Sequence, residues 1–181
     1  MKRNIARLTG YSLVEILVVI AIVGMLSLIT VPAFINYSQQ GHLRAAVRQV
    51  HGDLRTMRLL AITNDLRIRI ELQSDKMTYT YYSSADNGAT WTAYTPKGKV
   101  SNTSKVEAPV TFSATTFQDI DGNGKPDIVF LPSGMVDSAC SPSGGGMPTL
   151  TLSVPWMNIT QNVMTITVSP AGNIHADGSH S

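Results

Sequence analysis

The sequence predicts an α+β protein in which one long N-terminal helix, membrane-spanning over its first half, packs its second half on an antiparallel β-sheet domain. Three observations carry this. An uncharged apolar run, Ile16 to Ile29, stands close to the start of the chain. Leu43, Val47, Val50, Leu54, Met57 and Ala61 then recur at steps of three and four, the period of one helix face. Beyond Asn64-Asp65 the period shifts to two, in short segments divided by turn residues. A helix followed only by strands argues for an α+β domain rather than alternating βαβ units. A length of 181 residues suits one anchor helix and one modest domain.

The first element begins with a basic head. Lys2, Arg3 and Arg7 precede Gly10, and Tyr11-Ser12-Leu13-Val14-Glu15 leads into the apolar run. Glu15 is the only charge in that stretch. A carboxylate inside a membrane span costs roughly 2.5–3.5 kcal/mol on insertion scales, so a chain that keeps one is expected to use it. A secretory signal peptide would end in a small-residue cleavage site after the apolar run. Here Thr30-Val31-Pro32-Ala33-Phe34 passes straight into the amphipathic pattern instead. A plain single-span anchor explains neither Glu15 nor Gly10 at the charge-to-apolar boundary. The basic head orients the span with its N-terminus in the cytoplasm.

One helix from about Tyr11 to Asn64 is expected, with residues 11–32 in the membrane and 33–64 amphipathic. Pro32 removes a helical hydrogen bond and should bend or loosen the helix there. Gly24 and Gly52 are weaker interruptions. Arg44, Arg48, Arg55 and Arg58 fall on other faces than the apolar stripe, with His42, His51 and Asp53 among them. A solvated face is the first expectation for such charges, and contact with lipid headgroups or neighbouring subunits is the alternative.

Residues 65–181 read as the β-rich domain. Arg67-Ile68-Arg69-Ile70-Glu71-Leu72 alternates as a half-buried strand should, and Met77 to Tyr82 reads as its hairpin partner. Asp86-Asn87-Gly88 signals a turn before Thr90 to Tyr94. Val110 to Phe117, Asp127 to Leu131, Thr149 to Val154 and Val163 to Val168 complete the expected strands.

Composition limits the function. Of fourteen basic residues, three lie in the head; the remaining eleven face twelve acidic ones, so net charge gives no support for nucleic-acid binding. The lone Cys140 cannot form an intramolecular disulfide and sits in a Gly/Ser/Pro-rich stretch, where an incidental loop thiol is expected. There is no G-x-S-x-G, P-loop, H-E-x-x-H or C-x-x-C, and the four histidines, His42, His51, His175 and His180, form no catalytic pattern. Enzyme activity is not expected.

The segment Asp119-Ile120-Asp121-Gly122-Asn123-Gly124-Lys125-Pro126-Asp127 places oxygen side chains at its first, third, fifth and ninth positions and Gly at the sixth. That is the spacing with which a calcium loop turns alternate residues toward a hard cation, and Lys125 would contribute its backbone carbonyl. Phe130 stands where an EF-hand has its bidentate Glu, so a shorter loop of D-x-D-x-N-G-x-x-D form is the better description. A polar turn rich in Asp and Gly is the competing reading.

The N-terminal pattern resembles a type IV prepilin leader: basic residues, a glycine, an aromatic residue and a glutamate fifth after the cut. Asp53 to Asn64 followed by Arg67-Ile68-Arg69-Ile70 resembles the helix-to-strand region of GspH/FimT-type minor pilins. Ile128-Val129-Phe130-Leu131-Pro132-Ser133-Gly134 resembles that family's strand ending in Phe-x-Pro-x-Gly, and Ile166 to Gly172 its C-terminal strand and turn. The resemblance implies a pilin-like fold. It implies that residues 1–10 are a leader removed by a prepilin peptidase, which cuts after Gly10 and methylates the amine of Tyr11; most members carry Phe there. It also implies that Glu15 pairs with the N-terminal amine of an adjacent subunit. The implied partners are other major and minor pilins or pseudopilins, the inner-membrane assembly platform and, before assembly, membrane lipid. The implied location is the bacterial inner membrane with the C-terminal domain in the periplasm, then a type IV pilus or type II secretion filament. Some FimT proteins bind DNA for natural transformation through a Gly-Arg-x-Arg motif. Here the corresponding turn is Gly172-Asn173-Ile174-His175, which lacks both arginines and the phosphate contacts they would supply.

Overall fold

A computed structural model describes residues 12–154 and 163–178. Gly10, Tyr11 and His180 lie outside the described residues. Helix α1 covers Leu13–Asn64 and passes through Pro32 without ending. Its first turn forms where the Ser12 carbonyl accepts the Glu15 and Ile16 amides. The chain divides into two units, the first ending at Ser38 and the second beginning at Gln39. In the first, α1 is long and apolar enough to cross a membrane, with a window of mean hydropathy 2.7 and no buried side chain in that window.

The second unit holds the rest of α1 and two antiparallel sheets. Strands β1 (Arg67–Leu72), β2 (Thr78–Ser84), β3 (Thr92–Ala93), β4 (Thr103–Lys105) and β6 (Asp127–Phe130) make one sheet. Its order is β3-β2-β1-β6, and β4 pairs the same strand as β3. The register sets Ile70 opposite Tyr81 on one side and Ile128 on the other. Strands β5 (Thr111–Thr115), β7 (Thr149–Ser153), β8 (Val163–Val168) and β9 (Ile174–Gly178) make the second sheet in that order. The expected strands are present, several of them shorter. Strands β4 and β9 were not anticipated, and there are two sheets rather than one.

All six apolar helix positions named from the sequence are buried, and Ala46 joins them. They share one core with Ile68, Ile70, Tyr79, Tyr81 and Ile128 of the first sheet and Leu150, Leu152, Ile166 and Val168 of the second. Cys140 belongs to this core too. Its thiol is fully buried, accepts the Val129 amide at 3.1 Å, and is pushed up to about 12 by burial. The expectation of an incidental loop thiol is therefore corrected, because a short turn of 3-10 helix, Ser138–Cys140, folds the residue inward.

The half-buried reading of β1 also needs correction. Ile68, Ile70 and Leu72 are buried as alternation requires, yet Arg69 and Glu71 on the opposite face are only 5% and 2% exposed. Tyr82 and Trp91 cover Arg69, with ring centroids 4.7 and 4.9 Å from its guanidinium carbon.

Polar groups of α1 reach the first sheet: Gln49 Nε2 donates to the Lys105 carbonyl at 3.0 Å, and Asp53 makes the larger network. Asp53 Oδ2 accepts the hydroxyls of Tyr79 and Tyr81, each at 2.7 Å, and Lys99 Nζ at 2.6 Å. Burial alone would raise the Asp53 carboxyl, but the bonds from Lys99, Tyr81 and Tyr79 outweigh it and hold the group below its ordinary 3.8. The same burial pushes both tyrosines well above their ordinary value. Charged hydrogen bonds of this kind contribute about 1.5–3 kcal/mol, and Asp53→Asn is expected to lose an amount in that range. Because the folded value is depressed, the contribution is complete above pH 3.8 and disappears as pH falls through the lower folded value. Denaturation curves between pH 2 and 7 should show this acid-side loss in the wild type and a smaller one in Asp53→Asn. Equal stability of the two proteins at pH 7 would show that the network contributes nothing.

Candidate functional site

The Asp-rich loop is built between the end of the β5 segment and β6. Gln118 and Asp127 close its base as an isolated antiparallel bridge. Within it, Asp119 accepts the amides of Gly122 and Asn123 through Oδ1, at 2.8 and 3.1 Å, and that of Gly124 through Oδ2 at 2.7 Å. One carboxylate therefore organises the turn. Asp119, Asp121 and Asp127 each bring one oxygen within 4.8 Å of the others, a grouping able to hold a metal ion. The other two residues expected as ligands are tied to neighbours. Asn123 accepts the Lys125 amide at 2.8 Å and donates to Glu71 Oε2 at 3.0 Å, while Lys125 Nζ lies 3.0 Å from Glu71 Oε1.

Sequence spacing did not point to Glu71 and Arg69 as parts of this site. Both come from β1, where Glu71 pairs in register with Asp127. Arg69 lies 2.6 Å from Asp121 Oδ2, 3.6 Å from Glu71 Oε2 and 3.8 Å from Asp127 Oδ2. Burial works to raise Glu71 and Asp121. Bonds from Lys125, Gln73 and Asn123 hold Glu71 below the usual range, and Arg69 does so for Asp121. Asp127 goes the other way. It is fully buried, and burial pushes it up to about 7 despite the pull of Arg69. Its Oδ1 has no hydrogen-bond partner, nor does Arg69 Nε. The signal for these residues was present in β1, whose charges alternate like those of a solvent-facing strand and instead line a second interior.

Glu15 sits in the first turn of α1 and is exposed, with no ion-pair partner among the described residues. A carboxylate there complements the partial positive charge of a helix N-terminus.

The two motif ends found in the sequence meet each other. Arg58 of α1 donates to the Gly134 carbonyl at 2.8 Å and the Ala171 carbonyl at 2.9 Å, and the Val136 amide bonds the Pro170 carbonyl at 3.0 Å. Gly172 has φ +78°, and a Cβ built on it would lie 2.0 Å from the Gly134 oxygen. Arg58 thus departs from the expectation of a solvated face, whereas Arg44, Arg48 and Arg55 are exposed as expected. The turn Gly172-Asn173-Ile174-His175 shares a groove with His51, Arg55 and Arg58.

A family model described as Type II transport protein GspH matches residues 46–172, from the buried half of α1 to the glycine of this clasp. A structure of the minor pseudopilin EpsH from the Type 2 Secretion System of Vibrio cholerae is similar at 12% identity, TM-score 0.57, covering 77% of this chain and 99% of that one. A second Vibrio cholerae EpsH structure gives 11% identity and TM-score 0.56 over 76% and 97% of the two chains. The type IV minor pilin FimU of Pseudomonas aeruginosa gives 14% identity and TM-score 0.48 over 77% and 95%. At these identities the likeness is one of fold. Comparison with curated protein sequences finds no significant match.

Gly172→Ala tests the clasp. A positive φ on a residue with a Cβ costs roughly 1–3 kcal/mol, and the contact with the Gly134 oxygen adds to it. Loss of at least that much in chemical denaturation is expected, and a variant as stable as the wild type would show that the two turns do not need their close approach.

Proposed function

The chain belongs to the GspH family of type II transport proteins, and from that premise we propose that it enters its filament as a processed subunit held in register by Glu15. It is a minor pseudopilin or pilin of a type II secretion system or type IV pilus, a structural component and not an enzyme. Its apolar N-terminal helix accords with a single-pass inner-membrane subunit.

Residues 1–10 form the leader, residues 11–32 the membrane and filament-core segment, residues 33–64 the amphipathic half of the helix, and residues 65–181 the periplasmic domain. A prepilin peptidase cuts after Gly10 and methylates Tyr11. One observation supports this most strongly: Glu15 is the only charge between Leu13 and Ser38, in a helix apolar enough to cross a bilayer. Among packed apolar helices a carboxylate is tolerable once it meets an opposite charge, and a neighbouring subunit's N-terminal amine supplies one. The pair would fix the axial offset between subunits. Other pilins or pseudopilins and the assembly platform are the partners in this reading, and membrane lipid surrounds the helix before assembly.

The loop is read as a calcium site. Asp119, Asp121 and Asp127 supply carboxylate oxygens, and Asn123 and the Lys125 carbonyl complete the set. The buried Oδ1 of Asp127 supports it, since an oxygen without a hydrogen-bond partner beside other carboxylates is one that a cation could satisfy. Affinity in the class of extracellular modules, ~10⁻⁴–10⁻³ M, is expected.

Mass spectrometry of protein from assembled filaments should find a methylated Tyr11 at the N-terminus, and Gly10→Val should leave the leader attached. Glu15→Ala should reach the membrane at normal levels and be depleted in sheared filaments. Retention of residues 1–10 in filaments would remove the processing step, and wild-type incorporation of Glu15→Ala would remove the register role.

For the loop, calorimetry on the full chain in detergent micelles should detect one calcium ion at millimolar concentration and a raised melting temperature. Asp121→Ala should abolish both effects, and magnesium should substitute poorly because it demands tighter octahedral geometry. Absence of both heat and melting shift would reduce the loop to an acidic turn.

A further inference from the structure

The acidic loop already has a cation beside it. Arg69 is 5% exposed, clamped between Tyr82 and Trp91, and its guanidinium faces Asp121, Glu71 and Asp127 at 2.6, 3.6 and 3.8 Å. Lys125 is the second positive group of the cluster and binds Glu71 from its more exposed side. Three carboxylates, Glu71, Asp121 and Asp127, meet these two cations, and Asp119 lies beside Asp121 and Asp127, which leaves the cluster negative. The polar atoms without partners are informative. Asp127 Oδ1 is buried and unbonded although Arg69 lies beside the other oxygen, and Arg69 Nε is unbonded too. Arginine therefore fills part of the role of a cation here and leaves part of the acidic surface unsatisfied.

We infer that Arg69 is the built-in counter-cation of the calcium loop: it holds the carboxylates together without metal and, by its charge, keeps calcium affinity low. The inference rests on the calcium reading above and names what regulates that site. Asp121 links the two states. Its Oδ2 is bonded to Arg69, whereas Oδ1 accepts the Asn123 amide at 3.3 Å, a long bond that a metal could replace. Calcium entering beside Asp119 and Asp127 then stands near a fixed positive charge. A unit charge about 6 Å from a divalent ion opposes binding about tenfold even at the dielectric of water. An arginine clamped by two rings cannot swing out to relieve this. The arrangement suits a site that stays folded when calcium is scarce and fills only where calcium is abundant.

The test uses the full chain in detergent micelles and measures calcium affinity and metal-free melting temperature together. Arg69→Met keeps the aliphatic stem between the rings and removes the charge. It should melt lower than the wild type without calcium and bind calcium about tenfold more tightly. A purely structural arginine would lower stability as well but leave binding unchanged or weaker, and that result would overturn the inference while leaving the calcium reading intact. Arg69→Lys keeps the charge and should bind calcium within about threefold of the wild type; binding as tight as in Arg69→Met would overturn the charge argument. Binding by Arg69→Met alone, with none by the wild type, would uphold the counter-cation and end the calcium reading for the native chain. Binding by neither folded protein would end both. Should Arg69→Met fail to fold, the Nε–Hε resonance of Arg69 in the wild type decides: it should shift along with the loop amides during a calcium titration. A resonance unmoved at saturating calcium would overturn the inference.

Discussion

Burial of one face of α1, from Leu43 to Ala61, is the interaction on which the second unit depends. Each large apolar side chain on that face contributes roughly 1.5–3 kcal/mol when fully buried. The same core takes in the inner residues of both sheets, so neither sheet completes its interior without the helix. Apolar burial is non-directional, however, and does not by itself fix where a helix stops sliding or turning. Polar residues do. Asp53 bonds Tyr79, Tyr81 and Lys99 of the first sheet and the segment beside it. Arg58, five positions on, bonds the Gly134 and Ala171 carbonyls at the turns that follow β6 and β8. Asp53 pins the helix to the first sheet, and Arg58 to turns that leave both sheets.

Charge on the reverse face of β1 is the second constraint. A central strand with neighbours on both edges and Arg and Glu on one face would ordinarily present that face to water. Here Tyr82, Trp91 and the loop from Asp119 to Asp127 cover it. A buried ion pair stabilises only if its geometry is good and its remaining donors and acceptors are satisfied. Glu71 meets that condition through Gln73, Asn123 and Lys125. Arg69 and Asp127 do not, each keeping one unpaired atom. The unsatisfied part of the network lies on the side of the proposed cation site, whereas no buried side-chain atom of the Asp53 cluster is left without a partner.

Much of this was legible in the sequence. The helix stripe from Leu43 to Ala61 was read correctly because 3.6-residue periodicity survives whatever the helix packs against. Strand β1 was located correctly but its environment was not. Alternation records which side chains are apolar, and it cannot tell a solvated charge from one covered by residues far along the chain. Strand β9 escaped notice because Ile174-His175-Ala176-Asp177-Gly178 carries little apolar signal; it pairs at a sheet edge through its backbone. The clasp was visible only as two separate resemblances, Leu131 to Gly134 and Ser169 to Gly172. Nothing local says that one glycine would pack on the other, since the requirement is a contact between turns about forty residues apart. The loop's first ring of oxygens can be read from spacing, but the counter-charge Arg69 and the acceptor Glu71 come from β1, some fifty residues earlier.

The two sites proposed for this chain obey the same electrostatic rule at different scales. A carboxylate removed from water must find a cation, take up a proton or lose stability. Asp127 shows the cost within one chain: Arg69 approaches it but does not complete its bonding, and burial lifts the group to about 7. Glu15 poses the same problem at the other end of the chain, in a segment where no other side chain from Leu13 to Ser38 is charged. Within the loop the missing charge can come from a neighbouring residue or a metal, because Glu71, Arg69 and Lys125 already frame the position. Along the apolar helix the sequence between Leu13 and Ser38 offers no such frame. In the proposed filament an amine at a chain terminus or on another molecule would supply the counter-charge that residues 13–38 do not.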